Sequence, residues 1–214
     1  MAEHLSGYAN LLNAIETRID AGPPPFIVAI AGPPASGKST LAEKLTDDLR
    51  GSGVSAAFCP MDGFHKTNAQ LDAEGLRSVK GRIDTFDGAA FAEAVARLSS
   101  GDAFWWPRYS RHTHEPVPEG TRIDGNETVC IVEGNYILMP QEPWNAAASH
   151  FDLSIFLDVP DALLIDRLVP RHVRSGRTVA EAKNKIANAD MPNAATVRSS
   201  KGAADILFQD PVDA

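Results

Sequence analysis

The chain has 214 residues, 43% of them hydrophobic, and 20 Lys plus Arg against 28 Asp plus Glu give a net charge of −8. That length suits a single domain, 1–214, and that apolar fraction excludes a disordered chain. The acidic balance disfavours nucleic acid as a partner, and the longest clearly apolar run, Phe26 to Ala31, is too short to cross a membrane.

The first residues, MAEHLSGYAN, have neither a basic start nor an apolar core, so no secretion signal is expected. Within 1–21, Leu5, Tyr8, Leu12, Ile15 and Ile19 recur at spacings of three and four, which predicts a helix over 5–19. Its apolar face suits either its own sheet or a second copy of the chain in a homodimer. Gly22-Pro23-Pro24-Pro25 ends it. Phe26–Ala31 reads as a strand buried on both faces, and Leu41, Leu45 and Leu49 mark a helix closed by Gly51 and Gly53. Residues 55–60 suit a short strand. Asp87 suits a cap for a helix carrying Phe91, Ala94, Val95 and Leu98. Strands follow at 128–132 and 152–159. A helix from Ala162 stops or kinks at Pro170. Thr178-Val179-Ala180-Glu181 is a capping box opening a helix through about Ala189, and 204–208 reads as a last strand. Strands alternating with helices predict an α/β fold with a mostly parallel central sheet between two helical layers. Cys59 and Cys130 lie in apolar runs without metal-like spacing, as reduced thiols of a cytoplasmic protein would. Two polar segments, 61–86 and 103–127, follow strands, where open α/β sheets place ligands.

Residues 32–40, Gly-Pro-Pro-Ala-Ser-Gly-Lys-Ser-Thr, fit G-x-x-x-x-G-K-[ST] between a predicted strand and a predicted helix. Small residues (Gly32, Pro33, Ala35, Ser36, Gly37) let backbone N–H groups curl around an anion, and the helix directs its positive N-terminal end at it. Lys38 supplies a point charge for the β- and γ-phosphates. Ser39 offers a hydroxyl to Mg²⁺, and Thr40 opens the helix. Together they predict a P-loop NTPase domain that takes Mg²⁺ and a nucleoside triphosphate.

No guanine-reading Asn-Lys-x-Asp element accompanies the loop, since Asn184-Lys185 runs on into Ile-Ala. Residues 165–201 hold eight Arg or Lys against three acidic residues. Arg167, Arg171, Arg174 and Arg177 cluster there, and arginines over a triphosphate stabilise a transferring phosphoryl group. A solvated helix face would carry the same charges. The segment is expected to be a lid, which favours a phosphotransferase over a nucleotide-dependent regulatory ATPase.

Several motifs resemble the uridine kinase, phosphoribulokinase and bacterial pantothenate kinase superfamily. They are GPPASGKST at 32–40, PMDGFH at 60–65, KGRIDTFD at 80–87, PRYSRHTHEP at 107–116, VEGNYIL at 132–138, the stretch from Arg167 to Arg177, and SKGAADILF at 200–208. Within that superfamily the chain is most similar to small bacterial nucleoside/nucleotide kinase family proteins that bear a provisional fructose transport system kinase label. The resemblance implies ATP as phosphoryl donor, a small-molecule hydroxyl acceptor, a lid and an acceptor-binding hairpin. It implies that Asp62 is the general base beside the acceptor, although Asp-Gly also suits an ordinary turn. It implies that Glu133 contacts Mg²⁺ or the acceptor, with Phe64, Arg82, Asp84, Tyr109, Arg111 and His114 around the acceptor, and that Arg167 and Arg171 close over the nucleotide. Ser110 stands where uridine kinases carry Asp, and Arg111 where pantothenate kinases carry His. The acceptor therefore stays open among a sugar such as fructose, a nucleoside and a pantothenate-like alcohol.

Overall fold

The structure, a computed structural model, describes residues 2–209. Six strands form one parallel sheet: β1 (Glu3–Leu5), β2 (Phe26–Ala31), β3 (Ala56–Pro60), β6 (Val129–Gly134), β7 (Leu153–Leu157) and β8 (Ile206–Phe208), in the order β1-β8-β7-β2-β6-β3. β4 (Phe104–Ser110) and β5 (Glu115–Ile123) form a separate antiparallel hairpin. The central β2 and β6 are buried along their whole length, as parallel strands covered on both faces must be.

Alternate residues of β2 enter two separate cores. Ile27, Ala29 and Ala31 pack with Phe91, Val95 and Leu98 of α4 (Gly88–Ser99) and Trp144 of α5 (Trp144–Ala148). Phe26, Val28 and Ile30 pack with α1 (Tyr8–Ile19), α2 (Lys38–Gly51) and α6 (Asp161–Arg174). Each leucine buried on α2 (Leu41, Leu45 and Leu49) stabilises by about 1.5–3 kcal/mol. The expected cap forms, with Asp87 Oδ1 accepting from the Ala90 N–H at 2.9 Å. The capping box of Thr178 and Glu181 likewise opens α7 (Val179–Lys185).

Three expectations need correction. Residues 3–5 are a strand, not helix: Leu5 pairs with Phe208, and the helix buries Leu11, Ile15 and Ile19 on its own sheet. The helix does not stop at Pro170. Pro170 is exposed and removes one backbone donor, but Leu164, Leu168 and His172 continue the buried stripe past it. His172 Nε2 meets Asp190 Oδ2 at 2.7 Å, which holds the last turn in place. Lastly, the helix opened by Thr178 changes pitch. A π-helical stretch (Ile186–Asp190) leads into α8 (Met191–Arg198).

The hairpin is seated on the turn that follows β3. Trp106 is fully buried and its Nε1–H donates to the Pro60 carbonyl at 3.0 Å. Behind it, a Cβ on Gly63 would stand 2.1 Å from the Pro107 carbonyl oxygen. Neither backbone can yield at that distance, so only glycine fits. We expect Gly63→Ala to destabilise by about 1–3 kcal/mol, the usual range for overpacking, and to unseat the hairpin. A denaturant titration with Trp fluorescence checks both effects, and an unchanged midpoint would refute the packing account.

Candidate active site

The C-terminal end of β2 runs directly into the phosphate loop and α2. Gly37 has φ +96° and Ala35 has φ +63°, left-handed conformations that turn the backbone into a concave loop. The Ser36 hydroxyl is buried inside it without a hydrogen-bond partner among the described residues. Arg167 on α6 holds the loop from behind, its Nη1 donating to the carbonyls of Ala35 (3.3 Å) and Ser36 (3.0 Å).

Lys38 is the electrostatic centre. Burial pushes its ammonium below the ordinary lysine value; the carboxylates of Glu133 and Asp62 oppose that shift, and Arg171 and Arg111 reinforce it. Four charged side chains from β6, the turn after β3, α6 and the hairpin therefore act on one ammonium group. Glu133 lies in β6, one strand from the loop, and accepts a hydrogen bond from Ser39 Oγ at 3.0 Å. Burial lifts its pKa to about 7, against the pull of Lys38 and the Ser39 hydrogen bond and with the push of Asp62.

Asp62 sits in the 3₁₀ turn Met61–Phe64 that caps β3. The backbone carbonyl of Asp62 accepts from His65 Nδ1 at 2.9 Å, which assigns the hydrogen to that nitrogen. The His65 ring lies between those of Phe86 (centroids 3.9 Å apart) and Tyr109 (4.7 Å) in tilted contacts, and burial lowers its pKa. Tyr109 rises, first through burial and then through Asp62 and Glu115. Lys80 Nζ lies 5.2 Å from the Tyr109 ring centroid and donates to Asn68 Oδ1 (2.8 Å) and the His114 carbonyl (2.7 Å). It thereby ties the hairpin tip to segment 61–86.

The remaining expected site residues divide. Arg82 and Asp84 pair with each other at 2.6 and 2.7 Å. His114 is exposed at the hairpin tip with φ +56°, and Arg111 and Arg171 are exposed. Pro33 is buried and Thr40 is exposed on the first turn of α2. Phe64 is corrected: its side chain is only 6% exposed and packs edge-on against Phe91 and Trp106. It supports the Asp62 turn from below and is not open to a ligand.

Sequence reasoning passed over His65 and Lys80, although both lie in quoted motifs, His65 three residues after Asp62 and Lys80 opening KGRIDTFD. It also passed over Tyr136 and Asn193, which both donate to the Gly81 carbonyl, at 2.9 and 3.3 Å. These bonds join the loop before Arg82 to the turn after β6 and to α8.

The residues present fit a metal–nucleotide. Among the described residues no group of three or more His, Cys, Asp and Glu can hold a metal alone. The donor set of one hydroxyl and one carboxylate suits Mg²⁺, which takes its other oxygens from phosphates and water. The concave backbone, the unpartnered Ser36 hydroxyl and the half-buried Lys38 suit a polyphosphate.

The family described as Phosphoribulokinase / Uridine kinase family matches residues 27–213. The chain belongs to that family. It is 36% identical over 187 residues to the Escherichia coli (strain K12) "Uncharacterized protein YggC", covering 86% of this chain and 77% of that one. It is 30% identical over 194 residues to the Schizosaccharomyces pombe "Putative uridine kinase C227.14", covering 86% and 82%. The crystal structure of a "putative fructose transport system kinase from Silicibacter sp. TM1040" superposes with a TM-score of 0.87 at 32% identity, covering 94% of this chain and 98% of that one. P-loop kinases of this family transfer phosphoryl groups.

Because a cation site needs its carboxylate ionised, the Glu133 value near 7 sets a sign. As pH rises through about 7 the proton leaves Glu133, so Mg-ADP affinity rises. Titration calorimetry across that range should show the rise in the wild type and a flat profile in Glu133→Gln. A pH-dependent Glu133→Gln protein would assign the titration to another group.

Proposed function

We propose that this protein is an ATP-dependent phosphotransferase that moves the γ-phosphoryl group to a hydroxyl of a small molecule. The convergence of Asp62, Lys38 and Glu133 at one end of the sheet carries the reading, since a regulatory ATPase has no use for a carboxylate on the acceptor side. The loop N–H groups and Lys38 hold the triphosphate. Ser39 and Glu133 hold Mg²⁺, which when bound spreads the charge of the phosphate oxygens. Asp62 orients the acceptor O–H and takes its proton. The acceptor oxygen bonds to the γ-phosphorus as the bond to the β-phosphate bridging oxygen breaks, and ADP leaves. Arg171, exposed on α6 and within electrostatic reach of Lys38, closes over the nucleotide and excludes water.

A sugar such as fructose is the favoured acceptor, because the relative at TM-score 0.87 carries that name and polar segments surround Asp62. A nucleoside is the second choice, from the uridine kinase relative. A pantothenate-like alcohol is third. A cytoplasmic location fits the two buried free thiols, Cys59 and Cys130.

ADP release from Mg-ATP, alone and against a panel of sugars, nucleosides and pantothenate, tests the reading, with Lys38→Ala as the blank. One acceptor should raise the rate far above background. Asp62→Asn should lower that rate by about 10²–10⁴ while Mg-ATP still binds. A flat panel with slow acceptor-independent hydrolysis would favour the regulatory ATPase. Full transfer by a folded Asp62→Asn protein would remove the base assignment.

A further inference from the structure

We infer that Arg167 is a positioning residue that acts through the phosphate loop, fixing which way its backbone N–H groups point, and does not touch the phosphoryl group in transfer. The inference rests on the phosphotransferase reading and departs from the role that the resemblance implies for this arginine.

A trans peptide carries its C=O and its N–H on opposite edges of one plane. Whatever holds the carbonyl therefore aims the hydrogen the other way. Two consecutive planes of the loop are held in that manner. Arg167 Nη1 donates to the Ala35 carbonyl at 3.3 Å and to the Ser36 carbonyl at 3.0 Å. The N–H groups of the same two planes belong to Ser36 and Gly37. That of Ser36 is turned away from Arg167 and back across the loop, where it donates to the Pro33 carbonyl at 3.1 Å. The N–H of Gly37 is turned away from Arg167 by the same geometry, at the N-cap of α2, where an anion would lie.

The local sequence does not fix these planes unaided. Gly37 has φ +96° and no Cβ, so it accepts the reversed plane as readily. Ala35 has φ +63°, a left-handed conformation that a residue with a Cβ leaves unless its surroundings hold it. Reversal of the plane between Ser36 and Gly37 would present an oxygen to a phosphate in place of a hydrogen. Arg167 is placed to prevent it because α6 follows β7, and β7 pairs with β2, the strand that feeds the loop. Gly32 opens the loop so close to the end of β7 that a Cβ on it would stand 3.1 Å from Leu157 Cβ. The loop and the root of α6 are thus packed as one unit. Arg171, one turn further along α6, is exposed and makes no such contact with the loop among the described residues. The two arginines therefore divide the work: Arg167 shapes the loop, and Arg171 is left to close over the nucleotide.

Calorimetric titration of the full chain with Mg-ADP, with and without aluminium fluoride, tests this and needs no acceptor. The fluoride mimics the phosphoryl group in transfer, and ADP itself carries the phosphates that the loop N–H groups cradle. Arg167→Ala should therefore already lose about ten- to hundredfold in Mg-ADP affinity, the worth of hydrogen bonds from a charged donor, and lose no more than that with fluoride. Undiminished Mg-ADP affinity, with a loss of about 10²–10³ confined to the fluoride complex, would place Arg167 on the transferring group and overturn the inference. Undiminished affinity for both would make Arg167 a contact of the fold alone and overturn it too, even if the melting temperature falls. Should the alanine variant not fold, Arg167→Lys decides, because it keeps the cation and reaches the carbonyls less fully. Its Mg-ADP affinity should fall by the same factor with and without fluoride, and a loss confined to the fluoride complex overturns the inference. A wild type that binds no Mg-ADP would remove the phosphotransferase reading and the inference together, whereas every other failure leaves that reading standing.

Discussion

Burying an ammonium group is costly unless opposite charge is brought to it, and much of this molecule is arranged around that requirement at Lys38. The lysine sits at the mouth of the sheet because β2 is central and ends there. Glu133 reaches it from the neighbouring strand and Asp62 from the turn beyond. Parallel strands make this possible, since all of them end on the same side and each delivers its next residues to the same place. The two carboxylates sit in different surroundings. Glu133 is enclosed and holds its proton to about neutral pH, whereas Asp62 lies on a half-buried turn open to the acceptor side. One environment suits a ligand that ionises when a cation arrives, and the other suits a base.

The acceptor side is assembled differently. Its rigidity comes from the hairpin pressed onto the Asp62 turn at the end of β3. Phe64, Phe91 and Trp106 form the floor, with ring centroids 5.1–6.1 Å apart, and His65 and Tyr109 form the wall. Lys80 then ties the loop 80–85 to the hairpin tip, and Tyr136 ties it to the turn after β6. The short Asp62 turn is thereby held by aromatic packing from one side and backbone hydrogen bonding from the other. Catalytic positioning demands that kind of support.

Much of this was legible in the sequence, for identifiable reasons. The phosphate loop is a local signal: its spacing between a buried strand and a helix determines what each residue does. The caps at Asp87 and Thr178 are local too. What escaped was set by distant partners. Glu3–Leu5 shows no strand period over three residues, and only pairing with Ile206–Phe208 makes it one. Pro170 reads as a stop until His172 is seen bound to Asp190. Phe64 beside Asp62 reads equally well as a ligand or as floor, because an aromatic residue next to a base satisfies both patterns. Arg82 and Asp84 sit two residues apart, and no spacing rule says whether two such charges serve a ligand or each other.

The pairing of β1 with β8 bears on how the chain is made. Roughly two hundred residues separate the partners, so the first strand leaves the ribosome long before its neighbour exists. The inner strands β2, β6, β7 and β3 can join beforehand, because their pairings with one another all lie between residues 26 and 157, and only the outer edge of β7 waits for β8. The phosphate loop, Lys38, Asp62 and Glu133 all belong to that earlier part. The edge of the sheet is closed last, by a strand that has waited through about two hundred residues of synthesis for something to pair with.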